Sequence, residues 1–175
     1  VSAALLLCLI VAITDGDSLK ARCDEGAPVE MRLAEIDSPE RGQPFYKQAK
    51  QSLSEMCHGK QASIRQTAYD KRYDRPVVRV QCDDLDANAE QIRRGMAWVF
   101  DRYVTDHALY EFQAEARAAK RGIWSDESPT PPWEWRKRTR QNLSDAGAEI
   151  EHGGGLNACG CHIERKTGTC HCHQN

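Results

Sequence analysis

The stretch Met31-Arg32-Leu33-Ala34-Glu35-Ile36-Asp37-Ser38-Pro39-Glu40 decides how the rest of the chain is read. Alternation puts Met31 and Leu33 on one face of a strand and Arg32 on the other. Ile36 falls on the arginine's parity, so the strand must twist, bulge or end near it. Pro39 stiffens the backbone between Asp37 and Glu40. A hard cation takes oxygen ligands, an attacking water needs a base, and a phosphate is gripped by a guanidinium. Residues able to do all three stand within this one stretch.

Working outward, the chain opens as a meander. An apolar run at 9–13 reads as a first strand, Thr14-Asp15-Gly16-Asp17 as a turn, and 18–23 as a second strand. The third strand covers 29–36. Pro44 opens a helix whose apolar stripe is Phe45, Ala49, Leu53 and Met56, and Gly59 ends it. Strands at 61–67 and 76–82 follow, joined by a charged connection. A second helix runs to Arg94, capped by Asp86 or Asn88. A third is capped by Asp106 and carries Leu109, Phe112, Ala116 and Ala119. This order predicts an α+β, β-rich fold: a five-stranded OB-fold barrel with three helices, plus a small Cys/His-rich hairpin at the C-terminus. Trp133-Glu134-Trp135-Arg136 reads as an aromatic strap, 138–152 as a polar linker, and 153–175 as a separate tail.

Composition sets wider bounds. The chain has 175 residues, 40% hydrophobic and 29% charged, with a net charge of −2, which suits one domain with an appendage. That balance excludes a polybasic scavenger of nucleic acid but not a locally positive cleft. Residues 1–13 are apolar, too short to span a bilayer as a helix, and lack a basic flank. Residues 1–8 are expected to be a signal-peptide remnant, with the fold occupying 9–137. Export is expected, because the scattered body cysteines suit an oxidising compartment.

The chemistry gathers at strand ends. Asp17 and Asp37 end separate strands of one meander, so both carboxylates can share a cation, and calcium accepts such a loose oxygen set. The Ser38 carbonyl is a candidate ligand and Asp15 a neighbour. Taken alone, the Asp-Gly-Asp run is also simply a hairpin turn. Glu40 is placed to hold or deprotonate a water. Arg75, at a strand entrance, can reach the same mouth as Arg32, and two guanidiniums on one phosphate suit a pentavalent transition state. Together these residues name metal-assisted attack of water on a phosphodiester. A non-catalytic module gripping nucleic acid or protein is the alternative, as is a protein whose tail is its functional part.

At this point the residues resemble a family. Asp15-Gly16-Asp17, then Arg32-Leu33-x-x-Ile36-Asp37-x-Pro39-Glu40, then Tyr73-x-Arg75 is similar to the ordered signature of the staphylococcal nuclease family. The likeness continues through Asn88, Arg94-Gly95-Met96-Ala97, Glu115-Ala116-Arg117, Gly122-Ile123-Trp124 and Pro132-Trp133-Glu134-Trp135-Arg136. The resemblance implies a calcium-dependent endonuclease acting on single- and double-stranded DNA and on RNA, leaving 3′-phosphate ends. It implies calcium on Asp17, Asp37 and the Ser38 carbonyl, and a phosphate clamp of Arg32 and Arg75. Glu40 would be the base or water-positioning residue, and Tyr73 and Tyr103 would line the nucleotide pocket. Two positions depart from the pattern: Asp74 replaces a glycine, and Asp101 replaces a pocket tyrosine. A monomer without a stable membrane span is expected.

Of the eight cysteines, Cys57 and Cys82 end a helix and a strand that become neighbours if the 61–67 and 76–82 strands pair, so a disulfide is expected there, with free thiols the alternative. Cys23 has no evident partner. The tail carries Cys159, Cys161, His162, Cys170, His171, Cys172 and His173. It resembles a zinc hairpin and the short Cys/His tails of exported bacterial proteins, periplasmic or secreted. The expected zinc ligands are Cys161, His162, His171, Cys172 and His173, with Cys159 and Cys170 as alternates. Two disulfides are the competing arrangement.

Overall fold

The computed structural model describes residues 5–151, 161–163 and 170–172. The chain divides into two compact units, residues 1–135 and 136–175. In the first unit, β1 (Leu5–Ile13) pairs antiparallel with β2 (Ser18–Arg22) on one edge and with β5 (Gln61–Asp70) on the other. β2 pairs with β3 (Val29–Leu33), and β5 pairs with β6 (Arg75–Cys82). The barrel closes where β3 meets β6 in parallel, through Arg32 opposite Val77 and Leu33 opposite Val78. Five strands therefore form the expected OB-fold barrel.

Alternation explains which side chains fill it. Ile10, Leu19, Leu33, Ile64, Val78 and Val80 are fully buried inside, each contributing roughly 1.5–3 kcal/mol by leaving water. The opposite parity of β3 and β6 carries Arg32, Arg75 and Arg79 outward. β3 stops at Leu33 because Glu35 turns left-handed, with φ of 66°. The chain then resumes as β4 (Ile36–Asp37), paired with β8 (Trp98–Val99). This is the break that the parity of Ile36 demands. β7 (Leu85–Asp86) adds to the edge of β6.

Helices close the barrel. α1 (Tyr46–Cys57) buries Ala49, Leu53 and Met56. It starts at Tyr46 rather than at Pro44, because Phe45 takes a left-handed φ of 66°. α2 (Ala87–Arg93) is capped by the Asp86 carboxylate, which accepts the Ala89 N–H. Asn88, the other candidate cap, is instead fully buried and bonded to Val80, Val78 and Ala34 across the closing seam. α3 (Ala108–Ala118) buries Leu109 and Ala116, and the Asp106 carboxylate accepts the Ala108 N–H.

Three expectations change. β1 begins at Leu5, so residues 5–8 pair within the barrel; Cys8 is fully buried and bonded to Cys23, which thereby gains its partner. Residues 138–151, read as a polar linker, are helical: α4 runs from Pro132 to Glu151. Its segment is rich in good helix formers, and a helix that is polar all round shows no apolar period. The Trp133-Glu134-Trp135-Arg136 strap is the first turn of that helix, with Trp133 stacked on Phe100 at 5.9 Å between centroids. The Cys57–Cys82 disulfide forms as expected.

In the second unit, β9 (Cys161–Ile163) and β10 (Cys170–Cys172) form an antiparallel pair with His171 opposite His162 and Cys172 opposite Cys161. Cys159 and His173, and the side chains of the other expected zinc ligands, lie outside the described residues. Among the described residues no helix is long and apolar enough to cross a membrane.

Candidate active site

The barrel mouth is assembled around one guanidinium. Arg32 Nη1 donates to Asp17 Oδ2 at 3.0 Å, and Nη2 donates to Asp37 Oδ1 at 3.2 Å and to the Ile36 carbonyl at 3.0 Å. Asp17 and Asp37 thus meet at the same side chain, although they leave from different strand ends. Asp17 also accepts the Ser38 N–H at 2.9 Å and the Ser18 hydroxyl at 3.0 Å. The Ser18 hydroxyl in turn accepts from Arg75 Nη1 at 3.4 Å. A continuous polar chain therefore runs Arg75–Ser18–Asp17–Arg32–Asp37.

The closing register explains why both arginines arrive. Arg32 lies opposite Val77, and Arg75 is two residues before Val77 on the same outward face. Arg75 is also set against Glu30 at 3.5 Å and Asp70 at 3.8 Å, and its Nε is buried without a hydrogen bond. Tyr73 is 61% exposed, and its ring lies under the Arg75 guanidinium at 5.1 Å. Tyr103 stands elsewhere, edge-on to Phe100 at 5.3 Å, and lines a cleft of about 520 Å³ beside Arg32. The structure therefore places Tyr103 in the cleft and Tyr73 on Arg75.

Both departures from the family pattern have local accounts. Asp74 has a φ of 52°, where glycine is the low-strain residue and Asp is tolerated. Its carboxylate accepts the Tyr69 hydroxyl at 2.7 Å. Asp101 accepts the Tyr110 hydroxyl at 2.9 Å. Each acid is engaged by a tyrosine.

Asp17 and Asp37 are almost fully buried and share Arg32. Burial pushes the Asp17 carboxyl up, but the Arg32 guanidinium, the Ser38 N–H and bonds from Asp15 and Ser18 hold it below its ordinary value. Asp15, whose carboxylate accepts the Asp17 N–H at 3.0 Å, is pushed up to about 7, first by burial and then by the charge of Asp17. Two buried carboxylates meeting at one mouth form an oxygen donor set of the kind a hard cation accepts. The Asp17 and Asp37 carboxylates are chemically suited to a hard cation such as calcium. Among the described residues no group of three or more His, Cys, Asp or Glu side chains is gathered as a metal site.

Supports invisible in the motifs hold this mouth. A Cβ on Gly16 would lie 2.7 Å from Ala49 Cβ and 2.8 Å from Ser38 Cβ, so the Asp15-Gly16-Asp17 turn has no room for a side chain. Gln91, fully buried, donates to the Gly16 carbonyl at 2.6 Å and the Ala49 carbonyl at 3.0 Å. Gln43 accepts the Glu40 N–H at 2.9 Å and donates to the Thr130 carbonyl at 2.6 Å, which fixes the loop that carries Glu40. Neither glutamine stood out in the sequence. The only available signal was Gln91 occupying a helix position otherwise buried with Ala87 and Ile92.

Fold and site define a class: an OB-fold barrel whose mouth presents buried carboxylates and outward arginines. The chain belongs to the staphylococcal nuclease family. The family model described as "Staphylococcal nuclease homologue" matches residues 30–126. A Haemophilus influenzae protein named "Uncharacterized endonuclease" is 33% identical over 137 residues, covering 78% of this chain and 76% of that protein. An Escherichia coli O157:H7 protein of the same name is 37% identical over 130 residues, 74% of this chain and 84% of that one. The "Micrococcal nuclease" of Shigella flexneri is 32% identical over 142 residues, 75% of this chain and 80% of that one.

Proposed function

We propose that the protein is a calcium-dependent endonuclease that hydrolyses phosphodiester bonds of DNA and RNA and leaves 3′-phosphate ends. The observation that carries this reading is the convergence of Asp17, Asp37, Arg32 and Arg75 on one polar chain at the barrel mouth. The names of its relatives support it.

Arg32 and Arg75 grip the phosphate and neutralise the added charge of a five-coordinate phosphorus. Glu40 orients a water and takes its proton as the oxygen attacks phosphorus. The bond to the 5′ oxygen breaks, and the leaving alkoxide takes a proton from solvent. Asp17, Asp37 and the Ser38 carbonyl hold calcium, which when bound supplies Lewis-acid polarisation of the phosphate. Tyr103 offers a ring face to a base in the cleft, and Tyr73 backs Arg75. The two disulfides support export to an oxidising compartment, periplasmic or extracellular. The tail is read as a zinc hairpin, tested by elemental analysis of the purified protein, and the enzyme as a monomer.

The test is digestion of a single-stranded DNA with calcium, with chelator and with Glu40→Gln. Cleavage is expected only with calcium, and the variant should lose roughly 10²–10⁴-fold in kcat. Product ends should block polymerase extension until a phosphatase has acted. Undiminished cleavage under chelator would refute the metal assignment.

A further inference from the structure

We propose that Glu35 is a positioning residue for the reaction. It holds the 100–106 segment, and with it Tyr103, against the strand that leads to Asp37. The proposal rests on the nuclease reading for its consequence in catalysis, while its geometry is independent of that reading.

Glu35 is 6% exposed and left-handed, with φ of 66°. A side chain there is strained relative to ordinary backbone, so some local interaction must offset it. Five hydrogen bonds do. One carboxylate oxygen accepts the Thr105 N–H at 2.6 Å, the Thr105 hydroxyl and the Asp106 N–H at 3.0 Å. The other accepts from Arg79. The Glu35 carbonyl accepts the Phe100 N–H at 2.8 Å. Both ends of the 100–106 segment are therefore tied to one residue, two positions before Asp37. Arg79 extends the tie to Asp106 at 3.1 Å and Asp86 at 3.2 Å.

What this segment carries gives the tie its meaning. Tyr103 is 59% exposed and sits on a short turn, Asp101–Tyr103, with its ring edge-on to Phe100 and approached by Arg102. Phe100, Tyr103 and Thr105 form one wall of the cleft, and Arg32 and Glu35 line it from β3 and the turn beyond. The spacing between the phosphate grip and the ring that would meet a base is thus set by Glu35, whose carbonyl holds the Phe100 end and whose carboxylate holds the Thr105–Asp106 end. Loss of that carboxylate should move the wall relative to Arg32 and weaken substrate binding, while leaving Asp17, Asp37, Arg75 and Glu40 in place.

The test is Glu35→Gly. Glycine takes this φ without strain, and Arg79 retains Asp86 and Asp106, so the variant is expected to fold. The KM for cleavage of a single-stranded oligonucleotide should rise about tenfold, with kcat within about twofold. Amide exchange at Thr105 and Asp106 should quicken by at least about tenfold, with the Phe100 amide, held by the backbone carbonyl that glycine keeps, and the Ser38 amide changing little. Glu35→Gln, whose amide oxygen can still accept from Thr105 and Asp106, should return most of the lost affinity. Unchanged exchange at Thr105 and Asp106, or a lowered melting temperature with KM unchanged, would overturn the proposal. If the wild-type protein does not cleave at all, the nuclease reading fails, whereas the exchange measurement still decides whether Glu35 anchors the segment.

Discussion

Gly16 shows how tightly single residues constrain this mouth. It has ordinary negative backbone geometry, so a need for conformational freedom does not explain it; Ala49 and Ser38 leave no volume. Gly16→Ala should destabilise the protein by about 1–3 kcal/mol as the turn is forced aside, read as a lower urea midpoint. Activity should fall further than stability alone accounts for, because Asp17 is the next residue. Glu35 gives a pH signature. Burial pushes its carboxyl up, but bonds from Thr105, Asp106 and Arg79 outweigh that and hold it below its ordinary value. A depressed folded value means the stabilisation is present above the unfolded carboxyl value and is lost as pH falls through the folded one. The stability gap between wild type and Glu35→Gln, about 2 kcal/mol at neutral pH, should therefore narrow below about pH 4, as paired urea melts would show. A constant gap down to pH 2 would contradict this account. Asp17, Arg32, Asp37 and Arg75 were legible in the sequence because their chemistry is unusual for their strand positions. Gln91, Gln43 and Glu35 were not, because each acts through backbone groups distant in sequence.

At the scale of elements, strands and helix stripes were legible wherever one face is buried. The 2-residue period of β3 and β6 and the 3.6-residue period of α1 both register a core on one side. α4 escaped because no such periodicity marks residues 138–151, although their helix propensity is good. β1 was cut short for the opposite reason: Leu5, Leu6 and Leu7 are uniformly apolar and resemble an export signal, yet they pair with Arg65, Ile64 and Ser63 of β5. Cys57–Cys82 joins the end of α1 to the end of β6, and Cys8–Cys23 joins the middle of β1 to the residue after β2. Cys8–Cys23 spans 15 residues and Cys57–Cys82 spans 25. Opening such loops costs roughly 3–4 kcal/mol each in the chain-entropy picture. The double variant Cys57→Ser, Cys82→Ser should lose stability of that order while retaining kcat, since neither cysteine reaches the mouth. Loss of kcat at temperatures where the variant remains folded would place this disulfide in the site after all.

At the scale of the whole molecule, the fold was legible through element order, and the site through the rule that strand ends at one mouth are neighbours. Pairing partners were harder to foresee. Cys8 with Cys23, and Glu35 with Thr105, are set by register and by a left-handed turn, and neither leaves a mark in composition.

The closing seam has a kinetic consequence. Arg32–Val77 and Leu33–Val78 pair β3 with β6 across more than forty residues of intervening chain. Contacts so distant in sequence are slow to form, because loop entropy must be overcome first. The same seam brings Arg75 beside Arg32. During refolding with disulfides intact, enzymatic activity should therefore return with the slowest barrel-forming phase, later than the helical signal in circular dichroism. Catalysis in this chain reports that the ring of strands has shut.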